Sequence, residues 1–90
     1  VSIAIENVLS SKGRVKILRI LTEIRELNIS DIARRAGLNY ATTNQHLQVL
    51  EKNTLVRHKT YGRIRIFRLN EENPRARMIK QLIELWEQTK

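Results

Sequence analysis

Residues 39–50 contain no Asp, Glu, Lys or Arg, in a chain of which 29% is charged. Three amides within that stretch, Asn44, Gln45 and Gln48, have usable chemistry. An amide donates and accepts at once, which matches N7 and N6 of adenine in the major groove of a duplex. Ala41 and Thr42 suit contact with a thymine methyl, and Tyr40 can reach a phosphate or a base edge. A merely solvated helix face usually favours Glu and Lys, which form helices better than Asn or Thr. Absence of charge fits a surface that must approach a polyanion without acids and read it with neutral groups.

Beside this stretch stands its electrostatic opposite. Residues 54–70 hold Arg57, Lys59, Arg63, Arg65 and Arg68 and no acid, which is +5 of the formal +8. Four of these, Arg57, Lys59, Arg63 and Arg65, flank a glycine turn, where long cationic side chains can straddle phosphates or enter a minor groove. Charges on edge strands also block aggregation, but that purpose tolerates either sign. One sign alone points to nucleic acid. If each subunit of a dimer neutralises about three phosphates, the log–log salt slope should be about −5.

The elements that must position these residues follow from periodicity and capping. A short apolar segment, 3–9, forms a first helix. Ser10 or Ser11 caps a second helix running to about Arg25, whose single polar stripe marks it as central and largely buried. Residues 27–29 read as a stub of strand. Ser30 resembles the N-cap of a third helix, with Asp31 in its first turn. Gly37 fits the left-handed C-cap and Asn39 the next N-cap. A short helix, a glycine turn and a second capped helix make a helix-turn-helix.

On the fourth helix, running to about Lys52, Thr43, Leu47 and Leu50 should face the core. That leaves Tyr40, Ala41, Asn44, Gln45 and Gln48 on other sides. Residues 55–60 and 63–69 alternate as two strands around Tyr61-Gly62. Phe67 and Leu69 share the core face, while Ile64 and Ile66 point the other way. Asn73-Pro74 opens a last helix with a broad stripe of Met78, Ile79, Leu82, Ile83, Leu85 and Trp86. The expected fold is mainly α with a small β-hairpin: a winged helix-turn-helix of about five helices and a two- or three-stranded wing, in one domain over 1–90.

Ordered fragments of the chain resemble the ArsR-type (arsenic-repressor-like) winged-helix regulators, with MarR-type repressors as near relatives. They are Leu9-Ser10-Ser11 before Arg14-Val15-Lys16-Ile17-Leu18; Ser30-Asp31-Ile32-Ala33; Gly37-Leu38; the run from Thr42 ending His46-Leu47-Gln48-Val49-Leu50; Leu55-Val56-Arg57; and Gly62-Arg63. The resemblance implies DNA binding as a dimer, with the first and last helices as interface. Metal-sensing members carry cysteines near the helix that begins here at Ser30, or acidic and histidine ligands on the last helix. This chain has Asn28, Ile29 and Asp31 in the first place and no histidine after His58, so the resemblance is to a regulator without that sensor. An arginine often precedes the recognition-helix histidine; Gln45 stands there instead, which implies a different DNA sequence.

Composition narrows the rest. Ninety residues bury only about 60–65% of their unfolded surface, so the core is thin. Without cysteine there is no disulfide, thiolate metal site or cysteine nucleophile. Two histidines, His46 and His58, are too few for a metal cluster; His46 is expected to pack beside the core and His58 to be exposed. No metal or other cofactor is expected. Oligomerisation remains as the compensating device, and the terminal helices, 1–10 and 73–90, offer Ile3, Ile5, Val8 and Leu9 beside the last stripe. Packing onto the chain's own core is the plainer use of that stripe, and both can hold.

Residues 1–10 lack the basic start and long apolar run of a secretory signal, and no run is long enough to span a bilayer. A cytoplasmic, nucleoid-associated protein is expected. Ser30, Arg34 and Arg35, on the helix that crosses the backbone in such folds, are candidate phosphate contacts, although a solvated position suits the arginines equally well. The expected function is sequence-specific duplex binding by a dimeric regulator, a repressor. A sequence-indifferent architectural protein and a protein-interaction winged helix are the rivals. RNA binding is disfavoured by the few aromatic platforms, and an enzyme by the lack of any catalytic pairing, phosphate loop or nucleophile elbow. No motif identifies a small-molecule effector.

Overall fold

The computed structural model describes residues 3–89; residues 1, 2 and 90, which the expected span 1–90 and its terminal segments include, lie outside the described residues. Five helices and three strands follow in the order α1 (Ile5–Leu9), α2 (Lys12–Glu23), β1 (Leu27–Asn28), α3 (Ile29–Ala36), α4 (Tyr40–Lys52), β2 (Val56–Tyr61), β3 (Ile64–Leu69) and α5 (Pro74–Gln88). The sheet is antiparallel in the order β1-β3-β2. This is the winged helix-turn-helix expected, with the strand stub as its third strand.

Local chemistry sets the helix ends. Ser11 Oγ accepts from the Arg14 N–H and Asn39 Oδ1 from that of Thr42. Asn73 Oδ1 accepts from the Arg75 N–H just behind Pro74. Gly37 closes α3 at φ 69°, with the Leu38 N–H returning to the Ala33 carbonyl at 3.0 Å. That reversal points α4 away from α3 and needs a residue tolerant of positive φ. Gly62 meets the same need in the hairpin, at φ 62°.

One N-cap differs from expectation. Ser30 lies inside α3, and Asn28 is the cap, its Oδ1 accepting from the Asp31 N–H at 2.9 Å. With Asn28 as the cap, Ile29 begins the helix rather than ending the strand, and its side chain is buried. α2 stops at Glu23, short of Arg25; β2 sits one residue later than read, and β3 starts one residue later but ends at Leu69 as read.

Ile17, Leu18 and Leu21 of α2 form the centre, packed on Ile32 of α3, Leu47 and Leu50 of α4, and Phe67 and Leu69 of β3. Thr43 is fully buried yet satisfied, its hydroxyl donating to the Asn39 carbonyl at 2.8 Å. α4 therefore lies with 43, 47 and 50 inward, as its spacing requires. α5 contributes only Ala76 fully, with Ile79 and Ile83 half-buried against the core. Val8, expected at an interface, is 3% exposed and belongs to the chain's own core.

Candidate nucleic-acid interface

With its core side fixed, α4 turns Ala41, Gln45, Gln48 and Lys52 outward at spacings of four, three and four; all are exposed. Three of these are uncharged, and among the described residues neither Gln45 nor Gln48 has a side-chain partner. Tyr40 is exposed at the start of the helix, with Thr42 and Asn44 half-buried on its flank. The sequence groups Tyr40, Ala41, Thr42, Asn44, Gln45 and Gln48, and the helix divides these six into an open stripe and a shoulder.

The shoulder meets the hairpin. Arg65 Nη2 donates to Asn44 Oδ1 at 3.0 Å and lies 3.5 Å from the Tyr40 hydroxyl. Its guanidinium carbon sits 5.5 Å from the centre of the Phe67 ring, within range of a cation–π contact. Farther along the same sheet face, His58 Nδ1 approaches Glu51 Oε2 at 2.6 Å, and its ring lies 5.0 Å from Phe67. His58 is thus half-buried and paired, contrary to the exposed position read from sequence. Glu51 stands seven residues back, across the turn between α4 and β2, and no short-range pattern signals such a contact.

The basic wing divides between two faces. Lys59 and Arg63 are exposed and have no side-chain partner among the described residues. Arg65 faces α4. Arg57 lies on the opposite face at the base of β2, across from Arg68 and ion-paired with Glu72 at 3.4 Å. Two of the four wing cations are therefore engaged within the fold. On α3, Arg34 pairs with Asp31 at 3.2 Å, whereas Arg35 is exposed and unpartnered among the described residues, with Ser30 exposed nearby.

His46 lies on the side of α4 that meets α2. Burial first, and the Arg14 charge second, hold its imidazole below its usual pKa of 6.5, favouring the neutral ring. Among the described residues no three His, Cys, Asp or Glu side chains gather in a ligand set, and no helix is long and apolar enough to cross a membrane.

The sequence profile of the bacterial regulatory proteins of the arsR family matches residues 11–58, more than half of the chain. The chain belongs to the arsR family. Solved structures share the fold of this family member. HlyU from Vibrio cholerae is 22% identical with a TM-score of 0.77, covering 94% of this chain and 83% of its own. A homodimeric winged helix-turn-helix DNA-binding domain from Mycobacterium bovis is 25% identical with a TM-score of 0.71, covering 94% and 73%. The transcriptional repressor PagR of Bacillus anthracis is 22% identical with a TM-score of 0.71, covering 89% and 85%. An arsR-family winged helix makes this chain a DNA-binding transcription regulator rather than an enzyme. The family match spans α2 to the start of the wing and so contains the whole outward stripe of α4.

Proposed function

We propose that the chain acts as a homodimeric repressor, one winged helix-turn-helix unit over 1–90, that reads duplex DNA in sequence-specific fashion from the cytoplasm. α4 enters the major groove with Gln45 and Gln48 leading, flanked by Ala41, Thr42, Asn44 and Tyr40. Lys59 and Arg63 reach the backbone or minor groove from the wing tip, and Arg35 the phosphates under α3. One observation supports this reading: Gln45 and Gln48 are exposed on the helix that packs against the hairpin, Lys59 and Arg63 are exposed on that hairpin, and among the described residues none of the four has a side-chain partner. Neutral amides read base edges, and free cations neutralise phosphate.

The dimer rests on α1 and α5. Ile5, Leu9, Met78, Leu82, Leu85 and Trp86 are all exposed, Trp86 by 71%. A groove of about 820 Å³ runs between the two helices. Isolated apolar residues on a surface are ordinary, but a contiguous set of this size marks an interaction site. The homodimeric DNA-binding domain from Mycobacterium bovis supports a second copy as occupant. Twofold pairing would set the two α4 helices about 34–36 Å apart and call for an inverted repeat.

Selection of bound sequences from random duplexes tests the proposal. An enriched inverted repeat with half-sites one helical turn apart is expected. Retention of all sequences alike would instead assign an architectural role.

A further inference from the structure

Asn44 is half-buried where α4 meets the hairpin, and its carboxamide oxygen accepts from Arg65 at 3.0 Å. A guanidinium offers donors only, so the atom turned toward it must be the oxygen. That settles the orientation of an amide whose two ends are otherwise interchangeable. Arg65 is held in turn by the buried Phe67 ring beneath it and the Tyr40 hydroxyl beside it. Asn44 Nδ2 has no partner among the described residues.

We propose that Arg65 is a positioning residue for base recognition. It holds the Asn44 oxygen toward the hairpin and leaves Nδ2 to donate to a base acceptor: guanine O6 or N7, thymine O4 or adenine N7. This rests on the reading that α4 recognises bases, and it sharpens that reading. Bidentate pairing with adenine needs both ends of the amide turned to one base edge, and here the oxygen is engaged inward. Asn44 is thus a one-point donor, while two-point adenine recognition falls to Gln45 and Gln48, whose amides have no partner among the described residues. Arg65 leaves the set of phosphate-gripping cations.

Full-length Arg65→Met and Asn44→Ala, with the double variant, test this through three readouts. They are base preference by selection from random duplexes, salt dependence of affinity, and NMR of the guanidinium N–H groups in the DNA-free protein. In the wild type, slowly exchanging Arg65 signals are expected, and Asn44→Ala should abolish them. Arg65→Met should flatten preference by about tenfold at one position per half-site, the same position that Asn44→Ala flattens. The double variant should lose no more, and the salt slope should stay unchanged. A slope reduced by about one per subunit, with every base preference intact, makes Arg65 a phosphate clamp and overturns the proposal while base reading survives. A wild type with no base preference anywhere overturns both, even if the guanidinium signals are present.

Discussion

His46 occupies the space that a side chain at position 13 would fill. A Cβ on Gly13 would meet its Nε2 at 2.7 Å and its Cδ2 at 3.0 Å. Alanine is favoured over glycine within a helix by about 0.5–1 kcal/mol, but overpacking costs about 1–3 kcal/mol. The clash prevails. Gly13→Ala is therefore expected to destabilise by about 1 kcal/mol in denaturant unfolding, and in a His46→Ala background to stabilise by about 0.5 kcal/mol. A stabilised single variant would show that the contact yields freely. The same ring gives the fold a pH dependence. Its folded pKa is lowered, so the unfolded chain binds the proton more readily. Stability is full above the unfolded value of about 6.5 and is lost as the pH falls below it. The Tm of the wild type should drop further between about pH 7.5 and 5.5 than that of His46→Gln; equal drops would remove His46 as the cause.

At the scale of elements, what the sequence made legible was whatever is decided within a few residues. Ser11, Gly37, Asn39, Gly62 and Asn73 each sit at a helix end or turn that their own chemistry specifies. The outward stripe of α4 was equally readable, because a helix with 43, 47 and 50 buried leaves few choices for the rest. Contacts across long separations were not. Thr54 takes φ 60° between α4 and β2, and its carbonyl accepts from Asn70 and Asn73, 16 and 19 residues away. A β-branched residue rarely adopts that conformation, so only the assembled fold explains it. The two engaged wing cations, Arg57 and Arg65, were hidden in the same way: their partners are Glu72 and Asn44. The Glu51–His58 contact, also of this kind, pins the last turn of α4 to β2. Both groups are about one-third exposed, so a double-mutant cycle with Glu51→Ala and His58→Ala should give a coupling of about 0.5–1 kcal/mol near neutral pH. A coupling indistinguishable from zero would remove this pair from the contacts that seat the wing.

For the whole molecule, exposed Met78, Leu82, Leu85 and Trp86 lie on α5, while Lys59 and Arg63 of the wing and Arg35 of α3 are exposed and without side-chain partners among the described residues. Leu82→Glu places a charge in the proposed twofold seam and should convert a dimer to monomer in sedimentation at micromolar concentration, with the fold retained. A monomeric wild type would remove the seam. Lys59, Arg63 and Arg35 give three available cations per subunit, so the dimer's affinity should fall with a log–log salt slope of about −5. Base recognition by Gln45 and Gln48 is the property on which regulation by this fold depends. Competition of a selected duplex against bulk DNA, for the wild type and for Gln45→Ala/Gln48→Ala, measures that most directly. A wild-type preference of about a thousandfold or more, reduced at least tenfold in the double variant, is the predicted result; a wild-type preference below about tenfold, or one that the double variant keeps whole, would contradict it.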